Sequence, residues 1–154
     1  IEDGVMAKTS KELQQIWQIR EDVAILASKA RYDQHFDISL PVSKIGDVIN
    51  SIIKKLEKVK HVKTIFPFGH VADGNIHFII GRDDDSYMVI DQINSIVYSP
   101  LKKFNGSLSA EHGIGIHKKG YLETTRSKEE IKLMEKLKTM FDPKNILNPG
   151  RIVF

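Results

Sequence analysis

The 154-residue chain contains no cysteine. This absence excludes disulfide bonds, thiolate metal ligands and cysteine nucleophiles, and it fits a reducing compartment. Long apolar runs are also lacking, since none approaches the roughly 18 residues of a membrane-spanning helix. The acidic start Ile1-Glu2-Asp3-Gly4 does not have the pattern of a signal peptide. We therefore expect one domain that is large enough to bury its own core.

A stripe of arginines and aromatic residues, which a nucleic-acid-binding face requires, is missing as well. The formal net charge is +3, and the lysines are scattered along the chain. We therefore expect no nucleic-acid partner. A modest positive field can still attract a carboxylate substrate.

Hydrophobic periodicity predicts the element order α β α β β α β α. The first helix is predicted from Thr9 to Arg31, and the later helices begin at Ser43, at the polar break 83–86 and at Ser127. Pro100 should kink the third helix or end it early. The predicted strands are Phe36–Leu40, Val62–Phe68, Ile76–Ile80 and Gly106–Ser109. Antiparallel strands with helices on one face indicate an α+β fold, and a ferredoxin-like sheet is the nearest architecture.

The segment from Gly69 to His77 carries the most informative pattern. Asp73-Gly74 lies between two apolar runs and predicts a two-residue type I′ turn, which pairs His70 directly with His77. Opposed side chains on one strand face have Cβ atoms about 4.5–5.5 Å apart, and this spacing suits two imidazoles that share one cation. The alternative is a histidine pair that lines a polar groove without a metal.

A third ligand is needed, and Glu111, at the end of a predicted strand, is the best candidate, with Asp73 as a rival. Two histidines and a glutamate with an open position form a catalytic zinc set, although manganese and iron accept the same atoms. His112 is a candidate general base or a histidine bonded to a backbone carbonyl. Arg20 is either a surface arginine paired with an acid such as Glu21 or a clamp for a substrate carboxylate.

Three ordered motifs carry a family resemblance. Residues 69–77 match Gly-His-x-x-Asp-Gly-Asn-x-His, residues 106–115 match Gly-Ser-x-Ser-Ala-Glu-His-Gly-x-Gly, and residues 142–149 match Asp-Pro-x-x-x-Leu-Asn-Pro; the segment Asp37–Pro41 also fits. Together they resemble the C-terminal substrate domain of FAD-linked oxidases of the vanillyl-alcohol-oxidase type. Within that family the chain is most similar to D-2-hydroxyacid dehydrogenases, which act on D-lactate, D-2-hydroxyglutarate or glycolate.

The resemblance implies roles for single residues. These are three ligands of a divalent metal, usually zinc (His70, His77 and Glu111), a catalytic base (His112) and two substrate contacts (Arg20 and Asn75). In the D-2-hydroxyglutarate enzymes a threonine and a lysine help to bind the distal carboxylate. Ala24 and His35 occupy those places here, which argues against a dicarboxylate substrate and leaves His35 as the remaining contact.

The resemblance further implies that residues 1–154 are the C-terminal substrate and metal domain of a larger flavoenzyme, because the family's glycine-rich pyrophosphate loop is missing. FAD would be held mainly by a separate domain that the tail 142–154 contacts, with Asn148 reaching towards the flavin. The complete enzyme would oxidise a 2-hydroxy acid to the 2-oxo acid by hydride transfer to FAD and pass electrons to a redox acceptor. We expect a cytoplasmic or membrane-peripheral location, mitochondrial in a eukaryote, and no turnover by the chain alone.

Two other functions remain open from the sequence. A small metal-dependent hydrolase could use the same two histidines and glutamate, with water at the open position, if the chain were complete. A non-catalytic subunit module is the second alternative, and the departures at Ala24 and His35 favour it slightly.

Overall fold

The computed structural model of the protein describes residues 4–22, 25 and 30–153. This part of the chain contains four α-helices and three β-strands: α1 (Ser10–Glu21), β1 (Tyr32–Ser39), α2 (Ile45–Leu56), β2 (Val62–His70), β3 (Asn75–Arg82), α3 (Tyr87–Tyr98) and α4 (Lys128–Phe141). Short 3-10 helices occupy Val42–Lys44, Val71–Asp73, Lys102–Phe104 and Lys119–Thr124.

The sheet has the order β1-β3-β2, and both outer strands run antiparallel to β3. Strands β1 and β2 are therefore parallel to each other, with β3 between them and α2 in their connection, which is the split βαβ unit of ferredoxin-like sheets. The predicted α+β fold class is thus confirmed.

The predicted fourth strand, Gly106–Ser109, is wrong as a strand. It is reduced to a single antiparallel bridge between Ser107 and Ser39, at the outer edge of β1. The Ser107 hydroxyl donates to the Ser109 carbonyl at 2.9 Å, and local bonds of this kind compete with a regular ladder. The segment nevertheless lies beside β1, where a ferredoxin-like sheet has its fourth strand.

One hydrophobic core fills the space between the sheet and helices α2 and α3. The alternate β3 residues Ile76, Phe78 and Ile80 belong to it, because successive strand side chains point to opposite faces. Helix α2 contributes a one-sided stripe, namely Ile45, Val48, Ile52 and Leu56. Helix α3 ends at Tyr98, shortly before Pro100, as predicted.

Local signals placed the helix ends well where a cap was present. Thr9 caps α1 by accepting from the Glu12 amide at 3.2 Å, and Ser127 forms the predicted capping box with Glu130. The far end of the first helix was predicted less well, since α1 ends at Glu21 rather than continuing to Arg31. Most of residues 23–29 lie outside the described residues.

Strand β1 also begins earlier than predicted, at Tyr32 rather than Phe36. Its first four residues are polar or aromatic and lack an apolar alternation. They form the strand because the far half of β3, up to Arg82, offers them a pairing edge.

The β2–β3 hairpin differs from the predicted register. His70 pairs with Asn75, and His77 pairs with Phe68, so the direct pairing of the two histidines was wrong. The register is shifted by two residues from the predicted one. Side chains move to the opposite face of a strand only when the register shifts by an odd number of residues. His70 and His77 therefore still lie on one face, as diagonal rather than opposed neighbours.

The loop itself explains the new register. Residues 71–73 form a 3-10 turn that Gly74 closes in the left-handed conformation, with φ 72° and its amide bonded to the Val71 carbonyl at 3.1 Å. Val71 lies in this turn and is 61% exposed, so it does not share the core face of β3 with Ile76. Asp73-Gly74 predicted the position of the turn correctly, but the loop contains four residues rather than two.

Replacing Gly74 by alanine should destabilise the chain, because the new Cβ would lie 2.2 Å from the Leu40 carbonyl oxygen at a positive φ. We expect the free energy of unfolding in urea to fall by about 1–3 kcal/mol. Gly46→Ala is the matched control, since a Cβ there meets nothing within 4 Å and should add about 0.4–1 kcal/mol. Equal unfolding free energies for the two variants would contradict the turn geometry.

Candidate active site

His70, His77 and Glu111 meet where the hairpin faces the loop that follows Ser109. Potential ligand atoms of the three side chains lie within 4.8 Å of one another. The His70 Nδ1 atom is 3.1 Å from Glu111 Oε1, and the two imidazoles stand almost perpendicular with centroids 6.1 Å apart. The three residues proposed as ligands from the sequence are thus brought together, while their binding of a metal stays a prediction.

The three side chains differ in their contact with solvent. The side chain of His77 is 13% exposed, whereas those of His70 and Glu111 are 44% and 48% exposed. Burial lowers the pKa of His77, and the nearby carboxylates of Asp37 and Glu111 oppose this effect only in part. A neutral imidazole is the form that binds a metal, so the surroundings of His77 favour a ligand.

Asn75 lies beneath Glu111 and is 4% exposed. Its side-chain amide donates to Glu111 Oε1, so it helps to orient this carboxylate. Its own Oδ1 atom is buried and has no hydrogen-bond partner among the described residues. The predicted contact of Asn75 with substrate is not tested by this geometry.

His112 lies exposed beside the three-residue cluster. Its ring stacks on that of His77, with centroids 5.2 Å apart and planes inclined by 20°. No hydrogen bond joins its ring to another residue in the described part of the chain, so the backbone-bonded alternative is not observed. A histidine with free ring nitrogens next to the cluster suits a proton acceptor.

Asp37 is the site residue that the sequence reasoning missed. It is completely buried, and its Oδ2 atom accepts from the amides of Glu111 and His112 at 2.8 and 2.7 Å and from the Ser109 hydroxyl at 3.0 Å. Burial alone would raise the pKa of Asp37, but these hydrogen bonds lower it below its usual value. The sequence signal that could have indicated Asp37 is an acidic residue within an apolar strand. In the structure Asp37 pairs directly with His77.

Asp37, His77 and His112 form a second group with the spacing of a metal site. The first group fits a cation better, because the Asp37 carboxylate is inaccessible to solvent, whereas His70 and Glu111 are partly exposed. Leaving Asp37 out also leaves His112 free for proton transfer.

A cavity of about 520 Å³ adjoins His112 at the outer edge of β1. Its lining includes His35 and Asp33 together with the cationic side chains of Arg82, Lys118 and Arg151, so positive charge predominates. Its volume lies in the range of small-molecule sites. His35, predicted as a substrate contact, is half exposed and bonds Asp33 at 2.6 Å. Burial lowers the pKa of Lys118, and the Asp37 carboxylate opposes that shift.

The remaining predicted site residues, Arg20 and Asn148, make no hydrogen bond or ion pair with His70, His77 or Glu111 in the described part of the chain. The Arg20 side chain is 56% exposed and pairs with Glu21 at 3.7 Å, as in the surface alternative, and its role towards substrate stays a prediction. Asn148 is exposed, with a left-handed φ of 47°. Ala24 lies outside the described residues.

Comparison with known proteins agrees with the resemblance seen in the motifs. Residues 1–152 match the family model of FAD linked oxidases, C-terminal domain. The chain belongs to this family. The FAD-oxidase C-terminal domain therefore accounts for almost the whole sequence, including all three motifs.

Curated relatives of this domain include D-2-hydroxyglutarate dehydrogenases. The mitochondrial protein of Danio rerio is 35% identical over 149 residues, which cover 97% of this chain and 28% of the relative. The protein of Stutzerimonas stutzeri is 36% identical over 155 residues, covering 97% and 33%. The mitochondrial protein of Rattus norvegicus is 36% identical over 148 residues, covering 96% and 27%. The chain thus spans 27–33% of the length of these relatives.

None of the described helices combines the length and apolar character of a membrane span. The two animal relatives carry the word mitochondrial in their names.

We expect the imidazole pKa of His77 to lie below the ordinary histidine value of 6.5, since burial disfavours its charged form. The unfolded chain then binds this proton more readily than the folded chain, so the free energy of unfolding should decrease as the pH falls through and below 6.5. An NMR titration of the metal-free chain gives the pKa, and urea unfolding at several pH values gives the slope.

The variant His77→Gln should flatten this slope, whereas His117→Gln, at an exposed position, should leave it unchanged. A His77 pKa at or above the ordinary value would contradict the prediction.

Proposed function

We propose that this chain is the C-terminal part of a flavin-dependent D-2-hydroxyacid dehydrogenase, which oxidises a 2-hydroxy acid to the 2-oxo acid. The observation that carries the proposal is the convergence of His70, His77 and Glu111 next to His112, in a chain of the FAD-linked oxidase family. D-lactate, glycolate and D-2-hydroxyglutarate are the candidate substrates. The names of the relatives favour D-2-hydroxyglutarate as the first to test. A hydrolase and a non-catalytic module have less support, because neither accounts for the family membership together with an intact cluster.

A divalent cation, with zinc as the first choice, fits the two imidazoles and the carboxylate, which are a common catalytic zinc set. The low pKa of His77 and the partial exposure of His70 and Glu111 support such a site. When bound, a cation of this kind lowers the pKa of an alcohol and so promotes loss of its proton.

The protein's own residues bind the substrate and move its proton. His112 accepts the proton of the C2 hydroxyl at a free ring nitrogen, since it lies beside the cluster and has no competing partner in the described part of the chain. Arg151, in the lining of the adjoining cavity, attracts the carboxylate, and His35 contacts it there. Arg20 and Asn75 are assigned to substrate by the family resemblance alone.

A separate domain would hold FAD in the complete enzyme, and the flavin would supply the hydride-acceptor chemistry for C2 of the substrate. The tail 142–154 is the segment that we assign to the contact with that domain, with Asn148 nearest to the flavin. Its apolar residues Ile146 and Leu147 are 71% and 60% exposed, as an interface segment requires. A redox acceptor would be a further partner of the complete enzyme.

We expect the chain to bind one equivalent of Zn²⁺ and His77→Ala to weaken this binding by at least about 100-fold, because only two of the three ligands remain. Competition with a chromophoric chelator measures the affinity, and elemental analysis measures the stoichiometry. His117→Ala removes an exposed histidine outside the cluster and should bind like wild type. Full metal content in His77→Ala would place the ion elsewhere.

In the complete flavoenzyme, His112→Gln should lower kcat by about 10²–10⁴-fold, the usual contribution of a general base. The KM for the 2-hydroxy acid and the metal content should change little, because His112 is not among the assigned ligands. Steady-state rates with a dye acceptor measure the effect.

The isolated chain serves as the negative control in the same assay. Sustained dye reduction by it, without added flavoprotein, would contradict the division of the enzyme into two domains.

A further inference from the structure

Asp37 holds the whole loop segment that carries Glu111 and His112. Besides the three bonds to its Oδ2 atom, its backbone carbonyl accepts from the Ala110 amide at 3.2 Å. Four consecutive residues, 109–112, are therefore bonded to one residue of β1. Such a concentration of donors on one buried carboxylate fixes the direction in which the loop presents its side chains.

Lys118 balances the negative charge of Asp37 on the side of the carboxylate that faces the loop. Lys118 is itself buried, and its Nζ atom lies 2.9 Å from the Ser109 hydroxyl and 3.6 Å from Asp37 Oδ2. Ser109 thus accepts from the ammonium group, and its single hydroxyl proton is shared between Asp37 Oδ2 and the Gly113 carbonyl, both at 3.0 Å. A buried charge that is paired and hydrogen-bonded in this way can be retained in the folded chain.

The second oxygen of Asp37 is directed at His77. Asp37 Oδ1 is buried without a hydrogen-bond partner in the described part of the chain, and it lies 3.7 Å from His77 Nδ1. Buried polar atoms are normally satisfied, and a small approach would let Nδ1–H donate to this oxygen. Metal-binding histidines usually donate their second ring N–H to a carboxylate or carbonyl, which fixes the tautomer.

We infer that Asp37 is a positioning residue, which places Glu111 and His112 through the loop and sets the tautomer of His77 through Oδ1. The consequence for metal binding rests on the proposed function. The placement of the loop and the tautomer of His77 are independent of the proposed function, and both can be measured in the metal-free chain.

The first test is the tautomer of His77, read from its ring ¹⁵N chemical shifts in the metal-free chain at pH 8. We expect Nδ1–H in wild type. In Asp37→Asn the amide oxygen keeps the two backbone donors, so the amide NH₂ faces His77 and can only donate; the ring should change to Nε2–H. Nε2–H in wild type would overturn the inference, even if the variant failed to fold.

The second test is the absorption spectrum and affinity of bound Co²⁺, which report on the geometry of the site. Asp142→Asn is the matched control, since Asp142 is also buried and accepts from the amides of Ile146 and Leu147, outside the cluster. Both variants should lose stability in urea, but only Asp37→Asn should weaken Co²⁺ binding, by about 10–100-fold, and alter the spectrum.

The outcomes separate the two proposals. If folded Asp37→Asn binds Co²⁺ like wild type, with the same spectrum, the positioning role is overturned. If wild type itself binds no Co²⁺, the proposed metal site fails, and the tautomer of His77 alone decides on Asp37.

Discussion

The pleat of strand β3 is the constraint on which the rest of the structure depends. Its alternate residues Ile76, Phe78 and Ile80 enter the core, where each buried side chain stabilises the fold by about 1.5–3 kcal/mol. Its other face carries Asn75 and His77. Because β3 is paired along both edges, a slip of one residue would expose the apolar set and move the imidazole into the core. The core therefore holds the site in place.

The candidate site is an assembly across distant parts of the chain. Strand β1 supplies Asp37, the hairpin supplies two histidines, and the loop after Ser109 supplies Glu111 and His112. The buried pairing of Asp37 with Lys118 lies under the loop, while the side chains of His70 and Glu111 remain partly open to solvent. The site therefore combines a buried, charge-balanced group that fixes the loop with side chains that solvent can reach.

Local features were predictable because their causes are local. The Ser127 capping box and the end of α3 before Pro100 depend on a few neighbouring residues. The grouping of His70, His77 and Glu111 was predicted from the Asp-Gly turn and from the place of Glu111 at the end of a predicted strand, and the motif resemblance implied the same three residues. His70 and Glu111 are 41 positions apart. The hairpin register was missed because Asp-Gly fits turns of different length. The role of Asp37 was missed because it exists only after β1 meets the loop.

The four-residue hairpin loop is a place where this fold can tolerate insertions. The pairing of β2 with β3 is fixed by the buried face of the sheet, so residues inserted between His70 and Asn75 would lengthen the loop and leave His70 on the same face as His77. A single residue inserted within either strand would instead turn one of the two histidines towards the opposite face, unless a β-bulge absorbs it. Length differences among related hairpins should therefore be concentrated at the tip.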